Sequence, residues 1–223
     1  MSNELWREVD DYIGGLFLPE DPALDATLRQ SEAAGLDPIA VSPTQGKLLN
    51  LLVQMTGATR VLEIGTLGGY STICMARGLP EDGALVTLEL DETHAAVARR
   101  NIDGAGVGEK VAIRIGAALD SLKAMAAAGE APFDFVFIDA DKEGYAEYFQ
   151  WVMKLTRKGA VIIADNVVRD GAVADPECTD PLVQGIRRFN DRVAAEPRVS
   201  ATALQTVGSK GYDGLAIMLV TSD

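Results

Sequence analysis

Histidine, cysteine and basic residues are all scarce in this chain. There is one histidine, His94, and there are two cysteines, Cys74 and Cys178, among 223 residues. His94 falls on an expected surface helix and reads as solvated, which removes Ser-His-Asp hydrolysis. The cysteines form no CxxC and have no histidine beside them. They support neither a disulfide framework nor a zinc site, and they fit a reducing cytosol. Lys and Arg number 20 against 33 Asp and Glu, a net charge of −13, so bulk electrostatics do not favour a polyanionic partner. Apolar runs that could span a bilayer, which takes ~20 residues, are missing. The opening MSNELWREVDDYIGG is acidic where a signal peptide is basic and then apolar. These gaps together point to a cytoplasmic protein with no membrane partner. Repeats, low-complexity tracts and a GxGxxG fingerprint are missing as well.

What is present is ordinary globular material, 48% hydrophobic and 24% charged, enough for one domain over 1–223. Residues 1–58 read as a helical cover. Leu5/Trp6, Val9, Tyr12/Ile13 and Leu16/Phe17 recur at helical spacing, a second helix is expected from Pro22 to Ala34, and Ser42-Pro43 reads as an N-cap and first helical residue. From 59 onward strands and helices alternate. Strands are expected at Val61–Ile64, Ala84–Leu90, Val111–Ile115, Phe133–Ile138 and Ala160–Ala164. Helices are expected near Tyr70–Arg77, Thr93–Ile102, Leu119–Ala128, Tyr145–Leu155 and Val183–Ala194. Such alternation implies right-handed βαβ units and a doubly wound, mostly parallel α/β sheet. Val199–Thr206 and Gly214–Val220 read as a closing antiparallel hairpin, giving seven strands in a Rossmann-like core.

Four strand ends carry chemistry. The first strand runs into Glu63-Ile64-Gly65-Thr66-Leu67-Gly68-Gly69-Tyr70-Ser71, glycines at the carboxyl edge where open α/β sheets bind ligands. The second ends in Leu88-Glu89-Leu90-Asp91, where an acid can accept the hydroxyls of a ribose. The fourth and fifth end in Asp139 and in Asp165-Asn166. Neighbouring strands lie ~4.8 Å apart, so two carboxylates and an amide oxygen can converge on one hard cation, Mg²⁺, Mn²⁺ or Ca²⁺, and do not suit zinc. Lys142, three residues past Asp139, can approach a group held there. Beside a divalent cation, like-charge repulsion lowers an amine's pKa, as a general base near neutral pH requires.

In this order and spacing, EIGTLGGYS, LELDE, FIDADKEGY and IIADNV resemble the cation-dependent class I O-methyltransferases, the family of the catechol and caffeoyl-coenzyme A enzymes. The resemblance runs from about Val41 to the C-terminus. It implies S-adenosylmethionine on Val41, Glu63, Gly65, Thr66, Ser71, Glu89, Ala118 and Asp139. It also implies a divalent cation, Mg²⁺ by first choice, on Asp139, Asp165 and Asn166, with Lys142 and Asp139 as catalytic residues and Lys142 as the base. The expected reaction is methyl transfer to a hydroxyl of a small catechol-like diol. The alternative keeps fold and cation but methylates a hydroxylated base of transfer RNA, which the net charge disfavours. A homodimer is implied by resemblance. The loop Arg169–Pro181 and Tyr212-Asp213-Gly214 are expected to border the acceptor.

Overall fold

The computed structural model describes residues 3–223. Three helices come first, α1 (Asn3–Phe17), α2 (Pro22–Ala33) and α3 (Pro43–Thr56). Asp21 and Ser42 cap α2 and α3 with side-chain oxygens, each followed by proline at the first helical position, where its missing N–H costs nothing. Gly57, at φ 62, closes α3 in the left-handed conformation that glycine adopts without penalty.

The core then alternates β1 (Arg60–Ile64), α4 (Tyr70–Ala76), β2 (Ala84–Glu89), α5 (Glu92–Gly104), β3 (Val111–Ile115), α6 (Ala118–Ala127), β4 (Phe133–Ile138), α7 (Tyr145–Leu155), β5 (Thr156–Asp165), α8 (Pro181–Ala195), β6 (Val199–Gly208) and β7 (Gly211–Val220). They form one seven-stranded sheet in the order β3-β2-β1-β4-β5-β7-β6. The first five strands are parallel, and β7 is inserted antiparallel between β5 and β6. β5 is longer than the sequence suggests. The expected strand is Ala160–Ala164, yet Thr156 already pairs with Phe133 across an irregular register, so the exposed Arg157-Lys158-Gly159 is strand.

Every residue of β4 is buried, the signature of a strand covered on both faces. One apolar layer joins Leu62, Val136, Tyr145, Phe149 and Phe189, with Phe189 edge-on to both Tyr145 and Phe149. The other joins Val41, Leu49, Val61, Ile73, Phe135 and Phe137. The order of strands reverses between β1 and β4. The carboxyl ends of β1, β2, β4 and β5 therefore share one edge, at the crevice where such sheets hold ligands.

Candidate active site

β1 delivers Glu63 to this edge fully buried. Ser71 Oγ donates to its Oε1 at 2.6 Å and Thr72 Oγ1 donates to its Oε2, both from the first turn of α4. Burial pushes the Glu63 carboxyl up to about 7 in spite of these hydroxyls, because a carboxylate out of water pays for its charge. The Ser71 hydroxyl is thus occupied by the protein itself. Thr66 is likewise turned inward, its hydroxyl 2.6 Å from that of Thr87.

The glycine loop is built differently from its sequence reading. Positive φ occurs at Gly65, Leu67 and Gly69, and the glycines face protein. A Cβ on Gly65 would lie 2.0 Å from the Asp139 carbonyl oxygen, and one on Gly68 would lie 2.1 Å from Ser31 Oγ. Asn101 of α5 holds the Gly68 carbonyl at 2.8 Å. Close packing of backbone on backbone, and of α2 on the loop, requires these glycines.

Glu89 closes the loop from β2. Its Oε2 accepts from Thr66 N at 3.2 Å and Leu67 N at 2.8 Å, and its Oε1 accepts from Asp91 N at 3.0 Å. Three of roughly four acceptor directions on a carboxylate are therefore in use. His94 is not simply solvated, as the sequence suggests. Asp91 caps α5 through Thr93 and His94 N–H, and this turns the imidazole back until Nδ1 stands 3.6 Å from Glu89 Oε1.

At the ends of β4 and β5 the charged groups meet. Lys142, only 8% exposed, donates to Asp139 Oδ1 at 2.8 Å and to Tyr145 Oη at 2.7 Å. Tyr145, fully buried, faces the carbonyls of Ile138 and Asp165 at 3.1 and 3.0 Å, so one phenol ties both strand ends to the amine. Burial, then repulsion from Asp139, pushes the Asp165 carboxyl up to about 6. Asn166 takes the left-handed conformation at φ 56 and donates its backbone N–H to Asp165 Oδ1 at 2.8 Å. Its side-chain amide has no protein partner among the described residues. Among those residues no three His, Cys, Asp or Glu side chains group around one point. The set here is two carboxylates and an amide. Two buried-edge carboxylates that repel each other beside a free amide oxygen make a donor set that fits a hard cation.

Val41 is buried just before α3, and Ala118 opens α6 after β3. With Glu63, Gly65, Thr66, Ser71 and Glu89 they border the same carboxyl edge. A cavity of about 220 Å³ adjoins it, lined by Ser42, Gln45 and Leu48 of α3 and by the β6–β7 turn around Lys210. Arg169–Pro181 and Tyr212-Asp213-Gly214 lie outside the lining of this cavity. Asp213 accepts from Val168 and Arg169 N–H and Arg187 reaches the Ala172 and Val173 carbonyls, so that segment is tied down beside its own sheet edge. Sequence reasoning missed Thr72, Tyr145 and Gln45. Tyr145 stands in the FIDADKEGY motif itself, whereas Gln45 gives only a helix-capping signal.

The strand order with its reversed seventh strand, and an acid at the end of β2 after a glycine loop, define a class I S-adenosylmethionine-dependent methyltransferase fold. The profile of the O-methyltransferase family matches residues 19–219, and the chain belongs to that family. A catechol O-methyltransferase of Niastella koreensis is 53% identical over 220 residues, 99% of this chain and 100% of that protein. The crystal structure of an O-methyltransferase from Bacillus cereus in complex with SAH superimposes with a TM-score of 0.97 at 55% identity, covering 99% of this chain and all of that one. TomG from Streptomyces achromogenes, an O-methyltransferase involved in tomaymycin synthesis and solved with SAM, gives 0.96 at 48% identity over the full length of both chains.

Proposed function

We propose that this chain transfers the methyl group of S-adenosylmethionine to one hydroxyl of a small catechol-like diol, with a divalent cation held by Asp139, Asp165 and Asn166. One observation carries the reading. A buried lysine, Lys142, shares a strand-end crevice with two carboxylates and an unpaired amide, at the edge where the fold binds ligands. The nearness of relatives named for catechol and of solved relatives carrying SAH or SAM supports it. Mg²⁺ is the first choice of cation.

The cofactor's ribose and methionine ends fall to Glu89 and to the Glu63–Ser71 loop, with Val41 and Ala118 beside them. When bound, the cation supplies positive charge that lowers the pKa of an acceptor hydroxyl. Tyr145 fixes the Lys142 amine so that it can take the hydroxyl proton at Nζ. The acceptor oxygen then forms its bond to the methyl carbon as the carbon–sulfur bond breaks. The sulfur keeps that electron pair, and the products are the methyl ether and SAH. Holding oxygen and methyl within ~3.5 Å in line is worth several orders of magnitude in rate.

The cavity of about 220 Å³ beside Gln45 has room for an acceptor of one or two rings. The experiment is SAH production with catechol, a monophenol of equal size and bulk transfer RNA. Turnover confined to the vicinal diol supports the proposal. Turnover confined to transfer RNA overturns the acceptor.

The homodimer is part of the same proposal. α1 has no buried residue, Tyr12 and Phe17 are 69% and 68% exposed, and Met55 of α3 is 79% exposed. A face this apolar reads as one that a partner covers. No described helix is long and apolar enough to cross a membrane.

A further inference from the structure

Gln45 has the sequence of one device and the geometry of another. Ser42-Pro43-Thr44-Gln45 matches a capping box, in which serine and glutamine three residues apart bond each other's backbone N–H. Half of the box is made, since Gln45 N–H donates to Ser42 Oγ at 3.2 Å. The other half is replaced. The side-chain amide leaves its helix, and Nε2 donates to Asp165 Oδ2 at 2.7 Å, 120 positions away in the chain. Asp165 Oδ1 meanwhile accepts from Asn166 N–H. Each oxygen of this carboxylate is therefore held by one donor, one from its own turn and one from α3.

A residue that departs from its local rule for a single distant contact marks a place shaped by function. The start of α3 is fixed by the Ser42 cap and Pro43, so Gln45 is delivered from a rigid element. The same side chain stands on the wall of the 220 Å³ cavity, between Leu48 and the β6–β7 turn. Its amide is also the right chemistry for the task. It donates a hydrogen bond without adding a third negative charge to Asp139 and Asp165, and without the positive charge of a lysine that would compete with a cation.

We infer that Gln45 is a positioning residue, which holds the Asp165 carboxylate in the orientation that binds the divalent cation. The inference rests on the cation reading proposed above. Donors that orient a ligating carboxylate typically change metal affinity 10–100-fold when removed.

The test is Mn²⁺ titration by calorimetry into the full-length protein: wild type, Gln45→Met, Gln45→Ala and Asp139→Asn. Methionine keeps length and volume while dropping the donor. Wild type should bind Mn²⁺ and Asp139→Asn should lose it. Both Gln45 variants should bind about tenfold more weakly. Their SAH affinity in EDTA should match wild type, and saturating Mn²⁺ should restore most of kcat, a signature that a merely structural role would not give. Equal Mn²⁺ affinity in wild type and both Gln45 variants overturns the inference and leaves the cation reading standing. Absence of Mn²⁺ binding by wild type overturns both.

Discussion

Gly65 and Asp139 touch through their backbones: a methyl on Gly65 would sit 2.0 Å from the Asp139 carbonyl oxygen, while Asp139 N–H donates to Ile64 O at 2.9 Å. The end of the loop strand and the end of the carboxylate strand are thus locked together. Glycine is required twice, by that approach and by φ 97. Gly65→Ala should destabilise the protein by roughly 3 kcal/mol, from strain at positive φ plus displacement of β4. Denaturant unfolding checks this, and a loss under about 0.5 kcal/mol would show that the strand ends move apart freely.

Glu89 is expected to do two things at once. Its carboxylate receives Thr66, Leu67 and Asp91 N–H, and on the proposed function it also holds the cofactor ribose. Glu89→Ala should weaken SAH binding at least tenfold and also lower stability by about 1–3 kcal/mol, since three backbone donors lose their partner. Calorimetry and thermal melting separate the two effects. Stability unchanged with affinity lost would mean that the loop holds itself.

Glu63 makes stability depend on pH in a stated direction. Its carboxyl is raised from an ordinary 4.5 to about 7 by burial, so between those values the folded protein binds more protons than the unfolded chain. Stability contributed by the neutral acid is fully present below 4.5, falls as pH rises and is gone above about 7, a change on the order of 3 kcal/mol. Glu63→Gln should remove most of that slope. Chemical denaturation at several pH values between 4 and 8 measures it, and parallel wild-type and mutant curves would contradict the burial argument.

Lys142 and Asp139 should separate catalysis from binding. Lys142→Met should cut kcat by 10²–10⁴-fold, the usual reach of general base catalysis, while SAH affinity stays near wild type. A KM effect with kcat preserved would assign Lys142 to acceptor binding instead.

Most of the fold was legible because its signals are local. Buried runs such as VIIAD are period-free and β-branched, and the Ser42 cap announces its helix. The ends of β1, β2, β4 and β5 were legible too, since a parallel sheet puts them on one edge. What failed to show was contact across the chain. The reason for Gly65 and Gly68 lies in Asp139 and Ser31. The setting of His94 depends on how Asp91 starts α5. Gln45 reads as a cap until Asp165 is placed beside it. Arg169–Pro181 is held in the same way, by Asp213 of β7 and Arg187 of α8.

The measurement that bears most directly on the account is initial-rate SAH formation from S-adenosylmethionine and catechol, with Mg²⁺ and again after EDTA, in wild type and Asp139→Asn. The account predicts turnover with Mg²⁺, loss of at least 100-fold in EDTA that added Mg²⁺ reverses, and no Mg²⁺ response in Asp139→Asn. Undiminished turnover in EDTA would contradict it.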